Sequence, residues 1–431
     1  MTDSVPSAAS PETMAAPPVD DDVAPPAAAV APPKAVEPPP ADAEIVRRVG
    51  ADLPKRMPSA AFAFRGYNVT NLGRTPELLA HPNYGPILTE YLGRASDACA
   101  EATGRAVNLA ERVRREALST LASYPEDIAL SVAVSLAEIE LLRTFHGGAF
   151  DEARFAFGYS LGEVAAVAAA GVFEMEAVLE PLLELAPDAA DLAHDVEMGV
   201  LFSRGPALDV RKVERHCLEL TAEGRGVIAI MSYLAPNTVL LLGQGETIPR
   251  FRDTMHDVLP APVHLRGNPH RWPPMHTPIV WQRNISNRAG VLMHTAAGGF
   301  RKPKPAVLSC VTGDASYDEM NSRSILMRWV DHPQRLWDVI ERTLAEGVDL
   351  VIHVGPEPNI VPATYARLSN NVATQLNART LGGFGMRAMS HIVRRSRPWL
   401  RSLMSKDAAL LRAPFIEQVI LQDWLLEQTV K

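Results

Sequence analysis

Residues 153–171 read ARFAFGYSLGEVAAVAAAG, and no other stretch restricts the fold as much. Ala153–Phe157 is a short β-like run. Gly158-Tyr159-Ser160-Leu161-Gly162 is a tight turn, and Val164 to Gly171 is a helix of small residues. A serine flanked by glycines at two positions before and after, between strand and helix, is the pattern of a nucleophile elbow. The glycines admit neighbouring backbone where a Cβ would clash. The helix N-terminus aims free N–H groups at developing negative charge. The competing interpretation is an ordinary N-cap serine; the strand before and the alanine-rich helix after favour the nucleophile.

The remaining pattern is α/β. Ala60–Phe64 (AAFAF) reads as a strand that ends in the turn-like Arg65-Gly66-Tyr67-Asn68, and helical spacing runs from Thr75 to Ala122. Glu126 to Phe145 is apolar on most faces, which predicts a buried helix. After Gly205 the order changes: helix Val210–Ala222, strands Val227–Met231 and Thr238–Leu242, helix Glu246–Val258, extended Pro262–Leu265. This α-β-β-α-β order predicts an inserted subdomain of the ferredoxin-like kind. The chain then returns to α/β with strand Val307–Val311, a helical Ser324–Glu346 broken at Pro333, and strand Leu350–Val354. The expected division is a tail over 1–55, a core over 56–205 and 277–372, the insert over 206–276, and a helical C-terminal tail over 373–431.

A serine nucleophile needs a base. His276 lies in Pro273-Pro274-Met275-His276-Thr277-Pro278, where prolines on both sides fix the backbone. It is 116 residues beyond Ser160 (276 − 160), so any contact is tertiary. His264 and His270 compete for the role.

With these residues in view, GYSLGE resembles the nucleophile motif of the malonyl-CoA:acyl carrier protein transacylases and polyketide synthase acyltransferase domains. His276-Thr277-Pro278 resembles their histidine loop, and Arg204-Gly205 their Arg-Gly pair. Val307–Gly313 resembles their SNVTG strand, and Pro333 with Asp349–Pro356 their closing segment. The resemblance covers roughly Ala60 to Leu368. It implies an α/β-hydrolase-like core with a ferredoxin-like insert, and double displacement through an acyl-serine. Ser160 would attack the thioester of malonyl-CoA or a related acyl-CoA while His276 takes the proton, and an acyl carrier protein thiol would accept the acyl group. The backbone N–H groups of Leu161 and Arg65 would form the oxyanion hole. The Trp329 carbonyl would orient the histidine, and Arg204 would clamp the malonyl carboxylate. No bound cofactor is implied; acyl-CoA is substrate. The chain departs from the family at Tyr159 (usually histidine), Arg65 (usually glutamine) and His353 (usually glutamate). Met275 stands at a position tied to acyl choice.

Charge and composition set the remaining bounds. Residues 1–45 hold eight acids and one base, net −7 of the chain's −8, with eleven prolines and no aromatic residue. That predicts a disordered leader, serving as a tether or as a solubilising segment. The body carries about −1, so no basic field points to nucleic acid. No apolar run approaches the roughly 20 residues of a membrane span, and no secretory signal is read at the N-terminus. Three scattered cysteines (Cys99, Cys217, Cys310) fit a reducing, cytoplasmic setting. Met386–Lys406 is basic and Phe415–Leu426 reads as a short apolar helix; both are assigned to packing on the chain's own core, with docking on an acidic carrier protein as the alternative. Two other functions remain open at this point: a serine hydrolase such as a thioesterase, and a silent docking module that has kept the fold.

Overall fold

The structure, a computed structural model, describes residues 52–204, 206–260, 262–377 and 409–430. The expected N-terminal leader and the basic segment Met386–Lys406 lie outside these.

Five strands form a parallel sheet: β1 (Ala60–Phe64), β2 (Phe155–Gly158), and three later ones. β1 and β2 are buried along their whole length, as expected of parallel strands covered by helices on both faces. Between them run α1 (Thr75–Ala80), α2 (Gly85–Thr103), α3 (Leu109–Arg114) and α4 (Tyr124–His146). α4 is buried on most of its surface, as the evenly apolar sequence predicts. It starts with Pro125 in its first turn and stops at Gly147, whose φ of 68° is the left-handed cap an L side chain resists.

Beyond β2 come α5 (Leu161–Ala169) and α6 (Met175–Leu192). Then follows a second, antiparallel sheet. Its strands are β3 (Val196–Ser203), β4 (Ile228–Ala235), β5 (Thr238–Gln244) and β6 (Val263–Asn268), in spatial order β4-β5-β3-β6. α7 (Val210–Ala222) joins β3 to β4, and α8 (Thr247–Val258) joins β5 to β6. With β3 included the unit is a complete βαββαβ ferredoxin-like motif. The sequence reading lacked this first strand and began the insert at 206. The strand's signal, buried Val196, Met198, Leu201 and Ser203, is interrupted by Gly199, and the run follows a helix without a turn residue.

The chain returns through α9 (Ile285–Thr295), β7 (Val307–Leu308), α10 (Ser322–Trp329), α11 (Leu336–Ala345), β8 (Leu350–Val354) and α12 (Ile360–Asn377). β9 (Glu417–Ile420) and α13 (Leu421–Glu427) close the described chain. The parallel sheet runs β7-β2-β1-β8-β9. The expected helix over Phe415–Leu426 is therefore corrected: its first part is an edge strand, paired with β8 from Leu350↔Glu417 to His353↔Ile420. Only Leu421–Glu427 is helical, and its Leu421, Trp424 and Leu425 are buried in the main core. The sheet thus places the ends of β1, β2 and β8 side by side, and the elbow rises from the central pair. No helix among the described residues is long and apolar enough to cross a membrane.

Candidate active site

Ser160 sits between β2 and α5 with φ 53° and ψ −123°, a strained turn that lifts its side chain clear of the sheet. The strain is held by close packing. A Cβ on Gly158 would lie 1.9 Å from the Gly162 carbonyl carbon, and one on Gly162 would lie 2.1 Å from the Phe64 oxygen. The Ser160 N–H donates to Gln334 Oε1 at 3.1 Å, and the Trp329 indole N–H donates to the Ser160 carbonyl at 3.0 Å.

His276 meets the serine: its Nε2 is 2.7 Å from Ser160 Oγ. The Pro-bounded loop gives the histidine φ 67° and buries it completely. Its own N–H donates to the Val330 carbonyl at 2.7 Å. The Trp329 carbonyl lies 2.6 Å from Nδ1, where the resemblance implied it. A carbonyl can only accept, so Nδ1 carries the proton and Nε2 presents a lone pair to the serine. Burial lowers the imidazole from its ordinary 6.5 to about 4, against the smaller opposing effects of the Trp329 carbonyl and the Asp331 charge. This imidazole is therefore neutral across the physiological range. His264 and His270 lie on and after β6 and make no contact with Ser160.

The two amides expected to form the oxyanion hole differ in what they bond. Leu161 opens α5, and among the described residues its N–H has no partner. Arg65 fails as the second donor: its N–H extends the β1–β8 ladder by one residue and donates to the Val354 carbonyl at 3.1 Å. The next two amides, Gly66 and Tyr67, have no partner among the described residues. Gly66 packs directly on the elbow, since a Cβ there would lie 2.6 Å from the Tyr159 oxygen and 3.3 Å from Ser160 Cβ. Tyr67 lines the cleft onto which Ser160, Leu161, Met275 and Trp329 also open.

Arg204 is not among the residues that line this cleft. It is exposed and follows the far end of β3. The β6 end that leads into the His276 loop, Asn268, pairs with Met198, while Ser203 pairs with Val263. Gln334, which sequence reasoning passed over, is central instead. It bonds the serine, its Nε2 is 3.2 Å from His276 Nδ1, and its backbone joins β4 through Met231 and Tyr233. A lone glutamine after a proline carries no signal of that role.

Polar groups behind the site brace it. Glu163, on the first turn of α5, accepts from the Cys310 N–H at 2.9 Å and the Tyr317 hydroxyl at 2.8 Å. Glu138 accepts from the Gly355 N–H at 2.7 Å. Burial raises these carboxyls to about 7 and about 8. The departing residue His353 is structural: it bonds Gln418 of β9 at 2.9 Å, and burial lowers it to about 4. Tyr159 is buried in the core.

These shifts set a pH dependence of stability. Unfolded glutamates lose their protons near 4.5 and unfolded histidines near 6.5. Between these values the folded chain holds two extra carboxyl protons but lacks two imidazole protons, and the two slopes oppose. From pH 6.5 to 8 the carboxyl contribution outweighs the fading histidine one, and stability should fall by about 2 kcal/mol. Urea unfolding at the two pH values checks this. The double variant Glu138→Gln, Glu163→Gln should flatten the decline; an undiminished fall would show that other groups cause it.

No family model matches the chain, and no curated protein does. Solved structures do. FabD from Acinetobacter baumannii aligns with TM-score 0.57 and 16% identity, over 72% of this chain and 90% of that one. An acyl carrier protein S-malonyltransferase from Vibrio cholerae aligns with TM-score 0.55 and 20% identity, over 72% and 93%. A type II polyketide malonyl-transacylase solved in complex with its acyl-carrier protein aligns with TM-score 0.54 and 19% identity, over 72% and 92%. At these identities the likeness concerns architecture, and the chain has the fold of the malonyl-CoA:acyl carrier protein transacylases, an α/β core with a ferredoxin-like insert.

Proposed function

We propose that this protein is an acyltransferase that moves an acyl group from coenzyme A to the phosphopantetheine thiol of an acyl carrier protein, through an ester on Ser160. The observation that carries the reading is the relay from Ser160 Oγ to His276 Nε2 at 2.7 Å and from His276 Nδ1 to the Trp329 carbonyl at 2.6 Å. The fold shared with malonyl transacylases supports the same reading, as does the sequence resemblance.

In the first half-reaction Oγ attacks the thioester carbonyl and its proton passes to Nε2. The imidazolium that forms is stabilised by the Trp329 carbonyl at Nδ1–H, in the place a carboxylate occupies in a serine protease triad. The Leu161 N–H and the Tyr67 N–H stabilise the oxyanion; Tyr67 replaces Arg65 because its amide is unpaired and the residue lines the cleft. The C–S bond then breaks, and Nε2–H returns the proton to the coenzyme A sulfur. In the second half-reaction the carrier thiol gives its proton to Nε2 of His276 and attacks the ester; the ester C–O bond breaks, and Nε2–H returns the proton to Ser160 Oγ. Serine and histidine suffice for both steps, so acyl-CoA enters as substrate and no cofactor is called for. The insert spans Val196–Asn268 in this reading. The three buried free cysteines suit a reducing, cytoplasmic setting.

Intact-protein mass spectrometry after mixing with acyl-CoA tests the proposal. A covalent acyl adduct should form, should be absent in Ser160→Ala, and should pass to a holo carrier protein. An adduct that persists in Ser160→Ala rejects the mechanism. Release of free acid at the same rate with and without carrier assigns hydrolysis instead.

A further inference from the structure

The backbone of Gln334 is fastened to the ferredoxin-like insert. It runs parallel to Ser232 of the edge strand β4. Its N–H donates to the Met231 carbonyl and its carbonyl accepts from the Tyr233 N–H, both at 2.8 Å. The Ser232 hydroxyl donates to the same carbonyl at 3.1 Å. β4 is irregular at this point. Its pairing with β5 skips Met231 and Leu234, the residues on either side of Ser232 and Tyr233, and bulges of this kind interrupt a ladder and re-aim the strand. The next residue is tied to the core, where the Arg335 N–H donates to the Cys310 carbonyl at 2.6 Å. Gln334 itself is fully buried.

From this anchorage the side chain reaches the elbow, and its Oε1 accepts the Ser160 N–H at 3.1 Å. That serine has φ 53° and ψ −123°, a conformation a non-glycine residue keeps only where its surroundings over-determine it. Its carbonyl is held by the Glu163 N–H at 2.9 Å and the Trp329 indole at 3.0 Å. Gln334 supplies the hold on the N–H side. A backbone N–H can only donate, so the amide oxygen faces Ser160, and Nε2 faces His276 Nδ1 at 3.2 Å. The Nδ1 proton is already directed at the Trp329 carbonyl. Two donors therefore face each other, and Nε2 does nothing to hold the ring. What Gln334 contributes is its oxygen.

We propose that Gln334 is a positioning residue for acylation: its amide oxygen holds the backbone of Ser160, and β4 holds Gln334, so the insert sets the aim of the nucleophile. This rests on the acyl-serine reading above. Loss of the oxygen frees the serine N–H and lets Oγ drift from its line of attack, which slows the chemical step without weakening the binding of acyl-CoA.

The test is single-turnover acylation of the full chain, followed by intact mass over a range of thioester concentrations. Acetyl-, malonyl- and hexanoyl-CoA are compared on the parent, and the fastest to load is used. Gln334→Met keeps the length of the side chain and removes the oxygen. It should lower the limiting rate by about tenfold or more and leave the half-saturating concentration within about threefold of the parent's. Gln334→Glu keeps an oxygen for Ser160 and sets a second one in place of Nε2. Its limiting rate should stay within about tenfold of the parent's. The new carboxylate favours a charged imidazole, so the pH of half-maximal rate should rise by about one pH unit or more. A merely structural role would not move that midpoint.

A folded Met variant that loads within about tenfold of the parent, or that loses affinity instead of rate, overturns the proposal and leaves the acyl-serine standing. A Glu variant slowed beyond that limit, or one whose midpoint is unmoved, overturns it as well. Circular dichroism and melting check both variants. If Gln334→Met does not fold, the near-isosteric Gln334→Glu decides on rate and midpoint. No adduct from any of the three thioesters on the parent overturns the acyl-serine reading, and this proposal with it.

Discussion

Replacing His276 by asparagine should slow acylation of Ser160 by about a thousandfold, within the roughly 10²–10⁴ that a positioned general base contributes. Asparagine is the informative substitution because the position has φ 67°, a conformation asparagine adopts more readily than other non-glycine residues. The loop should therefore survive while the proton acceptor at 2.7 Å from Oγ is lost. Quenched-flow mixing with acyl-CoA, read by intact mass, measures the rate. A variant within about threefold of the parent would remove His276 from the mechanism, since uncatalysed attack by a neutral serine is far slower. The pH profile of the parent supplies a second reading. A base held at about 4 by burial should give a rate that is level from neutrality down to about pH 5 and falls only below it. A half-maximum near the ordinary histidine value of 6.5 would show an imidazole open to water in the reacting complex.

Ser160 and its neighbour His276 were legible in the sequence for different reasons. The elbow is local: strand, glycine-bounded turn and small-residue helix lie within nineteen residues (153–171), and their steric logic can be worked out from spacing alone. His276 was legible because prolines constrain its loop, and because the resemblance singled it out from His264 and His270. What failed is what depends on register. The amide of Arg65, just after the apolar run AAFAF, was assigned to the oxyanion hole by the family resemblance. In the fold the β1–β8 ladder continues one residue further and consumes that N–H, and nothing in five apolar residues says where a ladder stops. Arg204 follows β3, a strand the sequence reading did not see, and it is exposed and absent from the lining of the cleft. β9 was read as helix because four strand residues beside an amphipathic turn are too few to show a period. Its partner β8 lies some sixty residues upstream. Gln334 and the apolar lining of the cleft are products of tertiary packing, since they bring α4, α6, α10 and the His276 loop to one place.

The elbow itself yields the largest expected effect on stability. Gly162→Ala should destabilise the fold by more than about 4 kcal/mol, a loss reserved for substitutions that break a named constraint. A Cβ at 162 would lie 2.1 Å from the Phe64 oxygen and 2.5 Å from the Arg65 oxygen. Both are backbone atoms at the end of β1, which is held on one side by β2 and on the other by β8. A flexible side chain could swing aside, but a strand in the middle of a parallel sheet cannot move without breaking ladders on both sides. Gly158→Ala should behave in the same way, with its Cβ 1.9 Å from the Gly162 carbonyl carbon. Gly93→Ala is the matched control. It lies within α2 with nothing within 4 Å of the added carbon, and it should stabilise by about 0.5–1 kcal/mol through helix propensity. Urea unfolding of the three variants separates the outcomes. If Gly162→Ala unfolded within 1 kcal/mol of the parent, α5 would be free to withdraw from β1. The Leu161 amide and Ser160 would then owe their positions to something other than this contact. If instead the variant fails to fold while Gly93→Ala gains, the same backbone contact that forbids a methyl group is what holds Ser160 and the Leu161 amide in place.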